Sequence, residues 1–165
     1  MLTFLLATAT ALAADDDRPD WTVTVDPLTF SLGYAHVQVE RAFGDHVSVY
    51  AGPHLRLFDG ILTDGTEPYR GYGGELGVRA FPWGEAPTGP WVMGRQVLAR
   101  LHTTDGSAAP KPGGYSSVLL GYTGVLGGHF VLSGGAGFNW LYYDIGDYGT
   151  SGPFIALHTN LGVAF

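Results

Sequence analysis

The sequence predicts an all-β protein, a closed antiparallel up-and-down transmembrane β-barrel of eight strands, and three observations carry that prediction. Segments of about ten residues that alternate apolar with small or polar side chains recur from Trp21 to the C-terminus, separated by Gly, Pro and Asp clusters. The chain holds 26 glycines, four Trp, nine Tyr and nine Phe, a composition that suits crowded, curving strands and no long helix. The faces opposite the apolar ones carry Gly, Ser, Asn and His with few charges. A soluble barrel would place Lys and Glu there; small residues fit a cramped interior with the apolar face turned outward.

At 165 residues the chain suits one domain. Eight Lys plus Arg against fifteen Asp plus Glu give a formal net charge of −7, which excludes a phosphate-tracking surface and hence nucleic acid as partner. Without cysteine there is neither a disulfide framework nor a thiolate metal site. Residues 1–13, MLTFLLATATALA, read as a secretory signal peptide cut after Ala13 or Ala14, although no Lys or Arg precedes the apolar run. The run is shorter than the ~20 apolar residues of a spanning helix. The barrel domain is then 14–165, opening on the polar leader DDDRPD.

Residues 21–25, WTVTV, form a short first strand ending at the turn pair Asp26-Pro27. A second strand is expected over 28–40, with Leu28, Phe30 and Leu32 on one face and Val37 and Val39 on the other. The phase change at 34–36 predicts a bulge. After the tight turn 41–45, residues 46–58 set Val47, Val49, Ala51, Leu55 and Leu57 against His46, Ser48, Tyr50, His54 and Arg56. Beyond a polar loop at 59–70, residues 71–81 face Tyr72, Leu76 and Val78 outward and Glu75 and Arg79 inward. A proline-rich turn, 82–90, leads to a strand over 91–102. Its better register puts Trp91, Met93, Val97, Ala99 and Leu101 outward and Gln96, Arg100 and His102 inward, stranding Arg95 on the apolar side.

A second polar loop, 103–114, precedes a strand at 115–125 with Val118, Leu120 and Tyr122 outward. The short turn 126–128 leads to 129–143, where Phe130, Leu132, Ala136, Phe138, Trp140 and Tyr142 oppose Ser133, Gly135, Gly137 and Asn139. A third loop, 144–152, precedes the last strand. Short and long connections thus roughly alternate, as on the two rims of an outer-membrane barrel, and Tyr72, Trp91, Trp140, Tyr142 and Phe165 supply interfacial girdles.

The final strand, 153–165, turns Ile155, Leu157, Leu161, Val163 and Phe165 to one side and Ala156, His158 and Asn160 to the other. Ending on Phe165 with Leu161 and Val163 before it, the strand resembles the C-terminal signal by which the barrel-assembly machinery recognises outer-membrane proteins. The whole chain after residue 13 resembles small eight-stranded outer-membrane barrels of the outer-membrane protein A transmembrane-domain type. Glu75-Leu76-Gly77-Val78-Arg79-Ala80-Phe81, followed by Gly84-Glu85-Ala86-Pro87, is similar to a poorly characterised bacterial branch of that group. The resemblance implies outer-membrane lipid and lipopolysaccharide as surroundings and leaves the oligomeric state open.

An eight-stranded interior is just wide enough to be filled by side chains. The expected interior polar cluster is Arg56, Glu75, Arg79, Arg100, His158 and Asn160, with His54, His102 and Asn139 alongside. Glu75 is expected to counter one or two of the arginines. The favoured function is therefore a structural or surface-interaction role without catalysis and with no cofactor. A narrow solute channel is one alternative. A lipid A-modifying hydrolase is another, because some lipid A deacylases are small eight-stranded barrels with a His-x-Ser pair and a glutamate, and His46-Val47-Ser48 has that spacing. The remaining histidines lack metal-ligand spacing, and Asp144 and Asp147 lack the final Glu of a calcium loop. Loops 59–70, 103–114 and 144–152 form an acidic rim (Asp59, Asp64, Glu67, Asp105, Asp144, Asp147) with Arg70 and Lys111, suited to contact with a partner or with divalent-bridged lipopolysaccharide.

Overall fold

The computed structural model describes residues 18–59 and 68–165. The expected signal peptide and the loop residues Asp64 and Glu67 lie outside the described residues. Eight antiparallel strands run in sequence order: β1 (Trp21–Val25), β2 (Tyr34–Phe43), β3 (Val47–Arg56), β4 (Tyr69–Ala80), β5 (Gly89–Thr103), β6 (Lys111–Leu126), β7 (Phe130–Ile145) and β8 (Tyr148–Ala164). Each pairs with the next, and β8 returns to β1, so the sheet closes into a barrel. The seam runs from Thr22↔Ala164 to Val25↔Leu161 and ends in reciprocal backbone bonds between Trp21 and Phe165. Closure leaves no free edge over that stretch. We call the rim that holds this seam and both ends of the barrel lower, and the opposite rim upper.

The wall is uneven. β1 has five residues and β8 seventeen, so only the lowest part of β8 has a β1 partner. The space above β1 is taken by a short helix, α1 (Pro27–Ser31), where a second strand from 28 onward was expected. Asp26 caps it, its Oδ1 accepting from the backbone N–H of Leu28 at 3.0 Å and of Thr29 at 3.1 Å, and Pro27 supplies a preset φ at the first position. The phase change near Tyr34 is therefore the passage from helix to strand, and the expected bulge is corrected. From Val37 onward the alternation is as expected, with Val37 and Val39 outward and Gln38 and Glu40 buried.

Two further elements differ. β5 has the opposite register: Trp91, Met93, Arg95, Val97, Ala99 and Leu101 are buried, while Gln96, Arg100 and His102 face away from the barrel axis. Trp91 accordingly belongs to the interior and not to a girdle. Its inward row is apolar because it packs two core clusters. Trp91 and Met93 join Tyr50, Phe81 and Leu119, and Val97 and Leu101 join Tyr69, Tyr115 and Tyr143. The ladder to β4 and β6 is uninterrupted, so Arg95 needs no bulge.

The third loop is a tight hairpin. β7 and β8 continue pairing through Tyr143↔Thr150, Asp144↔Gly149 and Ile145↔Tyr148, leaving Gly146 and Asp147 as the turn. Gly146 sits at φ 58°, a conformation that L side chains rarely adopt.

Candidate functional site in the barrel interior

The polar interior divides into a lower and an upper layer. In the lower layer Arg79 (β4) forms an ion pair with Glu40 (β2), and the Ser48 hydroxyl donates to the same carboxylate. Arg79 Nη2 also lies 3.0 Å from His158 Nε2. A guanidinium only donates, so that nitrogen accepts, which puts the ring proton on Nδ1, 3.7 Å from the Asp26 carboxylate. The Asn160 and Gln38 amides meet at 2.6 Å. The Arg79 guanidinium stacks against both Tyr50 and Trp91, and Trp91 Nε1 donates to Thr123 at 2.9 Å. The Arg79 and Glu40 charges are thus paired and hydrogen-bonded as a low-dielectric interior demands.

Glycine makes room for the rings. A Cβ at Gly77 would lie 2.2 Å from the Tyr50 ring, and one at Gly135 would lie 2.4 Å from Trp91.

The upper layer is built on a chain of four side chains. Tyr143 Oη is 3.1 Å from His54 Nε2, His54 Nδ1 is 2.9 Å from His36 Nε2, and His36 Nδ1 faces Glu75 Oε2 at 3.2 Å. The Tyr143 hydroxyl, the two imidazoles and the Glu75 carboxyl group thus form one polar chain across the upper layer. Arg56 stacks on Tyr34 and Tyr69. Arg95 stacks on Tyr115, its Nε and Nη2 each donate to Ser117 at 3.3 Å, and its buried Nη1 has no hydrogen-bond partner.

Above the lower layer lies a cavity of about 600 Å³. Its inner wall includes Tyr34, His36, Arg56, Arg95, Tyr115 and Tyr143. The same cavity is also lined by Leu28 and Leu32 of the α1 segment and by Ile155 and Leu157, which point outward from β8. A space bounded by inward residues and by outward residues of one strand passes through the wall. It does so where β8 has outrun β1 and where, among the described residues, α1 fills the gap.

The structure places Arg56, Glu75, Arg79, His158 and Asn160 inside, and divides them between the layers. Arg100 lies outside and is corrected out of the cluster, because the β5 register is inverted. The expected partner of the arginines also changes: Glu40 holds Arg79, whereas Glu75 faces His36. The sequence reading missed Glu40, His36, Gln38 and Arg95. The first three were visible in principle, since Val37 and Val39 outward put their neighbours inward. Leu161, Val163 and Phe165 lie on the exposed face of the last strand and its end.

His46 and Ser48 are not hydrogen-bonded to one another. Ser48 is bound to Glu40, and His46 Nδ1 lies 3.1 Å from the Phe81 carbonyl at the lower rim. Among the described residues, no group of three or more His, Asp or Glu could hold a metal ion. Of the acidic rim, Asp59 pairs with Arg70 and Asp144 with Lys111. The Asp105 carboxyl is held below the usual carboxylate range, chiefly by the backbone N–H of Ser107.

No protein-family model, curated protein or solved structure matches this chain.

Proposed function

We propose that this protein is an integral outer-membrane β-barrel with a structural or surface-interaction role and without catalysis. The observation that carries the reading is the inversion of burial across the barrel wall. Ile155 is 78% and Phe138 71% exposed, while Arg79 is 1% and Glu75 4% exposed. Water would disfavour so many large apolar side chains on a closed barrel, whereas lipid accommodates them. Arginines of the outer surface sit toward its ends: Arg41 over Trp21 and Phe43 at the lower rim, Arg100 high on β5. Among the described residues no helix is long and apolar enough to cross a membrane, and in this reading the strands do so.

In this reading the chain is exported by its signal peptide, assembled by the barrel machinery through Leu161, Val163 and Phe165, and surrounded by lipid and lipopolysaccharide. The lower layer fills the bore with paired charges and rings, which argues for a plug and against a solute path. The decisive experiment is gel migration of the outer-membrane fraction. A folded barrel should run differently before and after boiling, and recovery from the periplasm without detergent would overturn the assignment. The lipid A hydrolase is tested by Ser48→Ala and His46→Ala, which should both leave lipid A unchanged.

A further inference from the structure

We infer that the side opening between α1 and β8 is a binding site for a single-chain anionic amphiphile of the fatty-acid class. This rests on the membrane reading above and adds a ligand to it. Two features of the cavity specify the chemistry. Its mouth is apolar: Leu28 and Leu32 on one side, Phe154, Ile155 and Leu157 on the other. Its inner end is cationic, with Arg95 and Arg56 both on the wall.

Arg95 is 5% exposed and its Nη1 has no hydrogen-bond partner, so a buried charged donor is left for an acceptor inside the cavity. The Glu75 side chain faces His36 and does not line the cavity. The volume of about 600 Å³ is that of a small-molecule site and takes one chain with its head group.

The height of the opening fits a ligand that arrives from lipid. Leu157 lies roughly 20 Å above the lower rim, from a ~3.3 Å rise along a strand tilted by about 40°. That is toward the upper edge of an apolar band about 25 Å tall. An acyl chain at that depth meets the mouth side-on, and its carboxylate reaches Arg95 without crossing the plug.

The test uses the full chain in phosphatidylcholine nanodiscs and palmitate carrying a photoreactive diazirine in its chain, with the matching hexadecanol probe as neutral control. Palmitate labelling should concentrate on residues 27–34 and 153–158 and be competed by unlabelled palmitate. Arg95→Gln should lower palmitate labelling about tenfold and leave hexadecanol labelling unchanged, the loss of one charge-assisted bond. Arg95→Lys should retain most of it. Leu157→Trp, which crowds the mouth from outside, should also lower labelling, and it tests the site even if Arg95→Gln fails to assemble. An inserted, heat-modifiable barrel labelled evenly over the apolar belt, with no effect of either variant, would overturn the site alone. Failure of the wild type to insert or to shift on heating would overturn the membrane reading and the site with it.

Discussion

Arg79 illustrates how a single buried charge organises this interior. It reaches Glu40 on β2, His158 on β8 and the faces of Tyr50 on β3 and Trp91 on β5, so four other strands close around one guanidinium. Glu40→Gln keeps the shape but removes the countercharge, and should cost on the order of 3–5 kcal/mol in guanidinium unfolding of the micelle-bound barrel. Gly77→Ala drives a Cβ into the Tyr50 ring and should cost about 1–3 kcal/mol. Because the three heavy atoms nearest that Cβ all belong to Tyr50, Tyr50→Ala should relieve the strain, and the double variant should lose less than the two single losses combined. An additive cycle would mean that the backbone, not the ring, sets the limit. The side of the wall each residue takes was legible wherever polarity differed between faces, as for Glu75 and Arg79. It failed at Arg100, because β5 buries apolar side chains and leaves a mixed outer row, so hydrophobicity carried no information about direction.

At the scale of elements, the unequal strands matter most. β1 stops at Val25 because Asp26 turns the chain into α1, and Asp26 is tied to both sides of the notch. Its Oδ1 caps Leu28 and Thr29 and accepts from the Thr159 hydroxyl on β8 at 2.8 Å. Asp26→Ala should therefore cost about 0.5–2 kcal/mol and speed amide exchange at Leu28 and Thr29 more than elsewhere in the barrel. Uniform exchange would show that the cap does not hold the helix. At the opposite end of β8, Phe165 completes the seam through its backbone bonds to Trp21 while its side chain stays exposed. Phe165→Ala keeps those bonds, so a defect in assembly kinetics without a loss of folded stability would separate recognition from packing. His158→Ala should leave insertion intact. Eight strands and most registers were readable from alternation. The helix was not, since five residues are too few to show a helical period, and Asp-Pro signals a turn and a helix start equally well.

For the whole molecule, the layers make the bore discontinuous: an upper cavity open through the side wall stands on a lower layer of side chains. Trp91 is the largest of the fully buried side chains there, 2% exposed, and it lies against Gly121 and Gly135, which contribute no side chain of their own. On that side of the ring no side chain is placed to fill its volume if it is removed. In planar bilayers the wild type should add no steady conductance to the bare membrane. Trp91→Ala should open a water-filled path past Arg79 and give measurable current, together with a stability loss of about 3–5 kcal/mol. Glu40→Gln, which weakens the same layer without emptying it, should destabilise the barrel and leave it closed. Steady current through the wild type would sink the plug, and with it the argument that this interior serves packing below and binding above.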